Sequence, residues 1–281
     1  MCQRVFLSFG NEGYRNSLAR LCREAEATGL FSQVIATSER DLPSSLRDYC
    51  DAHPCGYGFW SWKPVVVKQI LDTLRSGDIL FFADAGCSVL PHPEWRLWFR
   101  LLKKKGRWGI FFPGNSHNGK WCDPEIFSRF TPQRKLWKRA NQVQGGIFMI
   151  KKTPESVALI DRWATLAVTA PELFEGPSDE EEYRKYKVRG HRNDQSVLNA
   201  CLASMPGSAW RGLILLKQRF QKNHFFGQAL LASRISDRDV RGALPDGKTA
   251  PHKYFPLVSP FILFGQRLST LTSRIFFRLS R

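Results

Sequence analysis

The run Ile79-Leu80-Phe81-Phe82-Ala83 is wholly apolar and stops at one carboxylate, Asp84, after which Ala85 and Gly86 leave room for a docking group. A short apolar run bounded by turn residues predicts a strand buried on both faces. In open α/β sheets, ligands are met just beyond the carboxyl ends of such strands. Asp84 therefore stands where a ligand, or a metal carried by one, would be engaged. Capping a turn or the next helix is the alternative role for an Asp there. In Gly56-Tyr57-Gly58-Phe59-Trp60-Ser61-Trp62-Lys63-Pro64, a lysine stands among aromatics just before an expected helix N-terminus. Free N–H groups and the helix dipole favour anions at that place. Lys63 would meet a phosphate while Trp60 or Trp62 lies against a base or sugar ring; packing both tryptophans in the core is the other reading. In Gln144-Gly145-Gly146 the paired glycines let backbone approach a ligand closely, or permit a bulge. The last cluster, His191-Arg192-Asn193-Asp194-Gln195-Ser196, crowds polar groups around an expected helix start, with Asp194 either a capping acid or a chemical one.

Regular elements must carry these clusters. The pattern predicts strands over 5–9, 33–36, 79–83, 108–112 and 145–150, and helices over 14–28, 64–75, 94–105, 154–168 and 194–203. Strands alternating with helices of this length imply an α/β fold, a mostly parallel sheet with crossover helices on its faces. Residues 113–120 read as a loop rich in Gly, Asn, Ser and His. Residues 171–190, acidic then basic, read as a loop of the kind that lies over a site.

Composition narrows the class. A hydrophobic fraction of 43% over 281 residues fits one globular domain with an appendage: 1–222 as the main domain and 223–281 as a basic extension. The formal charge of +17 calls for anionic partners: nucleotide phosphates, nucleic acid or an acidic membrane surface. Seven dispersed cysteines without a CxxC pair fit a reducing compartment, and neither a signal peptide nor a membrane-spanning apolar run is present in the sequence. A cytoplasmic protein is expected. In the extension, Phe264, Leu268, Leu271, Ile275 and Leu279 recur at helical spacing with arginines on another side. Such a helix suits either an anionic membrane surface or packing on the domain.

The ordered set YGFWSWKP (57–64), GDILFFADAG (77–86), QGGIFMIKK (144–152) and HRNDQSVLN (191–199) resembles GT-A-type nucleotide-diphospho-sugar glycosyltransferases. The resemblance is nearest to bacterial capsule and lipopolysaccharide enzymes and covers about residues 1–205. It implies a Rossmann-like GT-A sheet and transfer of a sugar from a nucleotide-diphosphate donor to a glycan or lipid-linked acceptor in cell-surface polysaccharide synthesis, and the basic extension would suit such an enzyme to the inner face of the plasma membrane. Asp84 takes the first position of the family's DxD motif, with Ala85 and Gly86 completing it, so one carboxylate is absent where Mn²⁺ or Mg²⁺ would want oxygen ligands. His191 could complete such a metal shell, or Lys63 and arginines could stabilise the leaving diphosphate without a metal. By the same resemblance Asp194 and Gln195 are the catalytic pair near the anomeric carbon, while Trp60, Trp62, Lys63, Gly145, Gly146, His191 and Arg192 line the donor pocket. A non-catalytic sugar-nucleotide binder and a nucleic-acid-binding protein are the alternatives. No known nucleic-acid-binding motif is present and the cations are scattered, so no nucleic acid is expected as partner.

Overall fold

The computed structural model describes residues 2–130, 135–176, 180–185, 187–218, 220 and 228–237. Its strands are β1 (Arg4–Phe9), β2 (Gln33–Thr37), β3 (Ile79–Ala83), β4 (Ser88–Val89), β5 (Gly109–His117), β6 (Asn141–Lys151), β7 (Leu213–Leu215) and β8 (Leu230–Leu231). The principal helices are α1 (Arg15–Ala27), α2 (Ser44–Ala52), α3 (Trp62–Thr73), α4 (Glu94–Lys103), α5 (Pro154–Thr169) and α6 (Asn193–Ala203).

Alternate residues of the central strands enter two apolar layers. Val5, Leu7, Leu80 and Phe82 join α2, α3, α5 and α6 on one face, centred on Trp163 and Phe148. Phe6, Ile79, Phe81 and Ala83 join α1 and α4 on the other, around Trp95, Trp98 and Phe99. The period-two split between two buried faces is why the 79–83 run shows no polar break.

The expected mostly parallel sheet is present, in the order β2-β1-β3-β6-β5-β7. β1 runs parallel to β2 and β3, and β5 parallel to β7, while β6 is antiparallel to both its neighbours. β5 also outruns its expected end. Pro113 pairs with Val143 and His117 with Asn141, across register shifts that accommodate a proline lacking an N–H. Most of the segment expected as a loop is therefore an irregular strand end. α3 starts at Trp62, two residues before the expected start at Pro64, which places Lys63 inside the first turn.

Of the stretch 223–281, residues 228–237 are described, and they lie against this domain. β8 pairs antiparallel with β4, and the Ala229 amide donates to the buried Glu94 carboxylate at 2.8 Å. Asp237 then caps α1 from far along the chain, accepting from the amides of Asn16 at 3.0 Å and Ser17 at 2.8 Å. The amphipathic pattern after residue 260 lies outside the described residues. Among the described residues no helix is long and apolar enough to cross a membrane.

Removing a capping carboxylate exposes the first amides of a helix without a partner. Asp237→Ala should cost about 1–2 kcal/mol in urea unfolding, and Asp237→Asn, which keeps an acceptor oxygen, should cost less. Equal stability of all three proteins would show that α1 does not depend on this cap.

Candidate active site

A cleft of about 770 Å³ opens beyond the carboxyl ends of β1 and β3, bordered by Phe9 and Gly10 on one strand end and by Asp84, Ala85 and Gly86 on the other. Asp84 is fixed by its backbone. Its amide donates to the Gly146 carbonyl at 2.9 Å, and its own carbonyl accepts from Cys87 at 2.9 Å to close the turn. The antiparallel neighbour β6 thereby brings Gly145-Gly146 alongside.

Those glycines serve space. Neither has a left-handed φ. A Cβ on Gly146 would run into the Asp84 carboxylate, and one on Gly145 would stand 2.7 Å from Asp194 Oδ2. Two acidic groups distant in sequence thus close on the same two residues. Asp194 arrives on the first turn of α6. Asn199, on the same helix, accepts from the Val143 amide at 2.9 Å and donates to its carbonyl at 3.0 Å, as a strand partner would.

Lys63 joins the carboxylates. Its Nζ lies 2.8 Å from Asp194 Oδ2 and 3.1 Å from Asp84 Oδ1. The rings of Trp62 and Phe82 stand 5.6 Å from the same nitrogen. Side-chain exposure is 2% for Lys63, 9% for Asp194 and 42% for Asp84, so Asp84 is the member of the trio that a ligand can touch. Burial works against the Lys63 charge, but Asp194 and Asp84 outweigh it and hold the ammonium above its ordinary pKa. Burial also pushes the Asp194 carboxyl upward against the pull of Lys63. An ammonium seated between two carboxylate oxygens is best described as a charged lysine in an anionic trio.

A left-handed turn delivers Lys63. Gly56, Tyr57, Gly58, Phe59 and Trp60 all have φ between +53° and +72°. Glycines meet two of the five positions freely, whereas the three aromatics pay about 1–2 kcal/mol each for a conformation L-residues avoid. The turn sets Tyr57 and Trp60 on the cleft wall and sends the chain into α3 with Trp62 stacked on Phe9 at 3.8 Å between centroids.

Gln195 faces the cleft with both ends of its amide engaged. Its Oε1 accepts from the Gly145 amide at 3.3 Å and its Nε2 donates to Gln142 at 2.7 Å. Asp84, Ala85, Gly86, Trp60, Trp62, Gly146, Arg192 and Gln195 line the cleft, while Lys63, Gly145 and Asp194 stand behind them. Lys63 is thus not the exposed phosphate ligand its place in the sequence suggested. It is buried because its amine is held between Asp84 and Asp194. His191 is turned elsewhere: its Nδ1 accepts from the Asp123 amide at 3.2 Å, and its ring packs on Gly176.

These donors do not suit Mn²⁺ or Mg²⁺. Among the described residues Asp84 is the one acidic side chain on the cleft wall, and an ammonium already sits on its Oδ1. Gly86 offers no oxygen from a side chain, and among the described residues no group of three His, Cys, Asp or Glu is placed to share an ion.

No protein-family model matches the chain, and no curated protein sequence matches it. Similar solved structures exist. A glycosyltransferase involved in glycosylation of the major capsid of PBCV-1 aligns with a TM-score of 0.39 and 13% identity, covering 77% of this chain and 83% of that one. Mouse xyloside xylosyltransferase 1, apo form, gives a TM-score of 0.39 and 12% identity over 78% and 86% of the two chains. The galactosyltransferase LgtC, in complex with donor and acceptor sugar analogues, gives 0.32 and 12% over 77% and 74%.

Several lining residues escaped the sequence reading. Phe9 ends β1, and Gly10 and Asn11 follow it as Asp84 follows β3, so the strand-end rule that singled out Asp84 applied to them as well. Lys217, Gln218 and Arg234 also face the cleft, and no pattern in the sequence marked them.

Lys63→Met strands two carboxylates beside each other and should cost about 3–5 kcal/mol in urea unfolding. Adding Asp194→Asn to that variant should return part of the loss; a strictly additive pair would deny the coupling. A second expectation concerns acid. Burial, opposed by the Leu173 backbone, lowers the His191 pKa from 6.5 to about 4. The folded chain then refuses a proton that the unfolded chain accepts, so stability should fall as pH drops from 6.5 toward 4, by roughly 3 kcal/mol. His191→Gln should flatten that acid limb in unfolding curves taken across the window, and an unaltered limb would assign it to other groups.

Proposed function

We propose that the chain is a glycosyltransferase that moves a sugar from a nucleotide-diphosphate donor to the hydroxyl of a glycan or lipid-linked acceptor. One observation carries the reading. Asp84, held by Lys63, and Gln195, held by Gly145 and Gln142, face one cleft of about 770 Å³ that aromatic residues and cations also line. Its size matches a site for a small organic ligand.

The roles follow from exposure and bonding. Asp84 is open enough to accept from hydroxyls of the donor. Tyr57 and Trp60 supply aromatic wall for its base or sugar. In the reaction an acceptor oxygen bonds to the anomeric carbon while the bond to the diphosphate oxygen breaks, its electron pair leaving on the diphosphate. The acceptor proton leaves to water or to the departing phosphate. Positive charge develops on the sugar ring, and the Gln195 carbonyl oxygen and the Asp84 carboxylate are fixed negative ends that stabilise it. Asp194 works through Lys63 as a positioning residue. The charge of +17 supports work at an anionic membrane surface on the cytoplasmic side, where lipid-linked glycans are assembled. A second reading, a binder of sugar nucleotides without turnover, is favoured by the absence of a carboxylate at the third position of the acidic motif it resembles, Gly86.

A panel of labelled UDP- and GDP-sugars tests both. Wild-type protein should release nucleoside diphosphate from at least one donor, and Gln195→Ala should slow that release about 10²-fold. Asp84→Ala should weaken nucleoside diphosphate binding by calorimetry. Binding without turnover would select the second reading, and the absence of both binding and turnover across the panel would end the first.

A further inference from the structure

The absent carboxylate at Gly86 and the presence of Arg234 are two sides of one arrangement. A Cβ on Gly86 would stand 3.3 Å from the Arg234 Cα. A longer acidic side chain at position 86 would therefore have to share its space with the backbone that brings in Arg234. The same carbonyl of Gly86 holds that backbone, accepting from the Ile235 amide at 3.1 Å and from the Ser233 hydroxyl at 3.2 Å. Ser233 is further fixed to Ser88 at 2.7 Å.

Arg234 itself is held at φ +55°, in the left-handed region that a non-glycine residue adopts at a cost. The surrounding bonds over-determine it, and Arg234 lines the cleft together with Asp84 and Gly86. Lys217 and Arg192 face the same cleft. Arg192 stacks on Trp121 at 4.6 Å to the ring centroid, which directs its guanidinium without neutralising it. Burial, and then the charge of Arg234, draw its pKa down, so the two guanidinium groups stand close enough to repel. Among the described residues none of the three cations has a carboxylate partner. Counting Lys63–Asp194 as neutral, three cations against Asp84 leave a surplus of two positive charges around one cavity. A diphosphate diester brings two negative charges.

We propose that the cleft grips the diphosphate of its nucleotide with three of the chain's own cations, Arg192, Lys217 and Arg234, in the place a divalent ion would otherwise hold. The inference rests on the sugar-nucleotide reading and extends it. Guanidinium groups offer forked donors that match phosphate oxygens, and in a partly desolvated cleft they stabilise the charge that builds on a departing diphosphate. The segment 228–237 thereby becomes part of the site: the hydrogen bonds that seat it on Gly86 also aim Arg234.

Calorimetric titrations of UDP, GDP and inorganic pyrophosphate, each in EDTA and in Mn²⁺, test the proposal on the full chain. At least one nucleoside diphosphate should bind in EDTA within about threefold of its affinity in Mn²⁺. Arg234→Gln and Lys217→Gln should each weaken that binding tenfold or more, with Arg234→Lys intermediate and melting temperatures unchanged, because both side chains are exposed. Binding seen only in Mn²⁺ would overturn the clamp and leave the sugar-nucleotide reading standing. Binding in EDTA that survives both Gln substitutions would overturn the residue assignment. Pyrophosphate bound as tightly as any nucleotide would keep the clamp and remove the nucleotide from the reading. No binding by any probe in either buffer would overturn both.

Discussion

One buried ammonium organises this molecule's chemistry. Lys63 lies between Asp84 at the end of a central strand and Asp194 on the first turn of α6, at 3.1 and 2.8 Å. Three local structures must agree for that meeting to occur. The left-handed turn at 56–60 must point α3 so that its first turn dives into the wall. β6 must carry two residues without side chains where the carboxylates press. The helix bearing Asp194 must be tied to β6, which Asn199 accomplishes by bonding both polar groups of Val143. If any one of these fails, a charge is left buried without its partner, and that outcome is expensive in a low-dielectric wall.

Part of this was readable from residue types alone. Asp84 stood out because an apolar run with no polar break ended on it, and a strand buried on both faces has no other way to end near solvent. Gly145-Gly146 signalled a close approach, but the approaching groups proved to be the protein's own carboxylates, which depends on a helix nearly fifty residues further on. Lys63 was marked by its aromatic neighbours and assigned to the surface; a two-residue shift in the helix start put its stem in the wall and its amine between two acids. The left-handed turn was hidden, since Tyr57, Phe59 and Trp60 carry no preference for positive φ and tertiary packing imposes it. His191 shared a motif with Asp194, yet a glycine before it and a hydrogen bond from Asp123 turn the ring away. Proximity in sequence does not survive a helix start, because successive side chains there leave in different directions.

Arg234 was the least legible residue. It is delivered by a ribbon of two residues on each strand, β4 with β8, too short to leave a periodic pattern. Val89, Ala229 and Leu230 bury a few apolar groups there, and the rest of the anchor is polar: Glu94 accepting from Ala229 and Gln218, and Asp237 accepting from the start of α1. Sequence periodicity reports apolar faces, so an anchor made of carboxylates and backbone amides is silent to it. The one trace is negative in form, a glycine where the motif that this stretch resembles has an acid.

A trio such as Lys63, Asp84 and Asp194 is a poor way to stabilise a fold. Removing two or three charges from water costs several kcal/mol each, and well-packed apolar residues of similar volume commonly do as well or better. The surrounding layers are rich in phenylalanine and tryptophan, so the chain had apolar material for that corner. Keeping an ion cluster there, with 42% of one carboxylate side chain left open to the cleft, sacrifices stability for a fixed negative group at a fixed place. Lys63 limits the freedom of that carboxylate without covering it, and Asp194 limits the freedom of Lys63. The exposed oxygens of Asp84 are thus oriented before any ligand arrives. Preorganisation of this kind is worth its cost only where a charge must be met in one geometry, which is the demand that the proposed binding of a sugar donor makes.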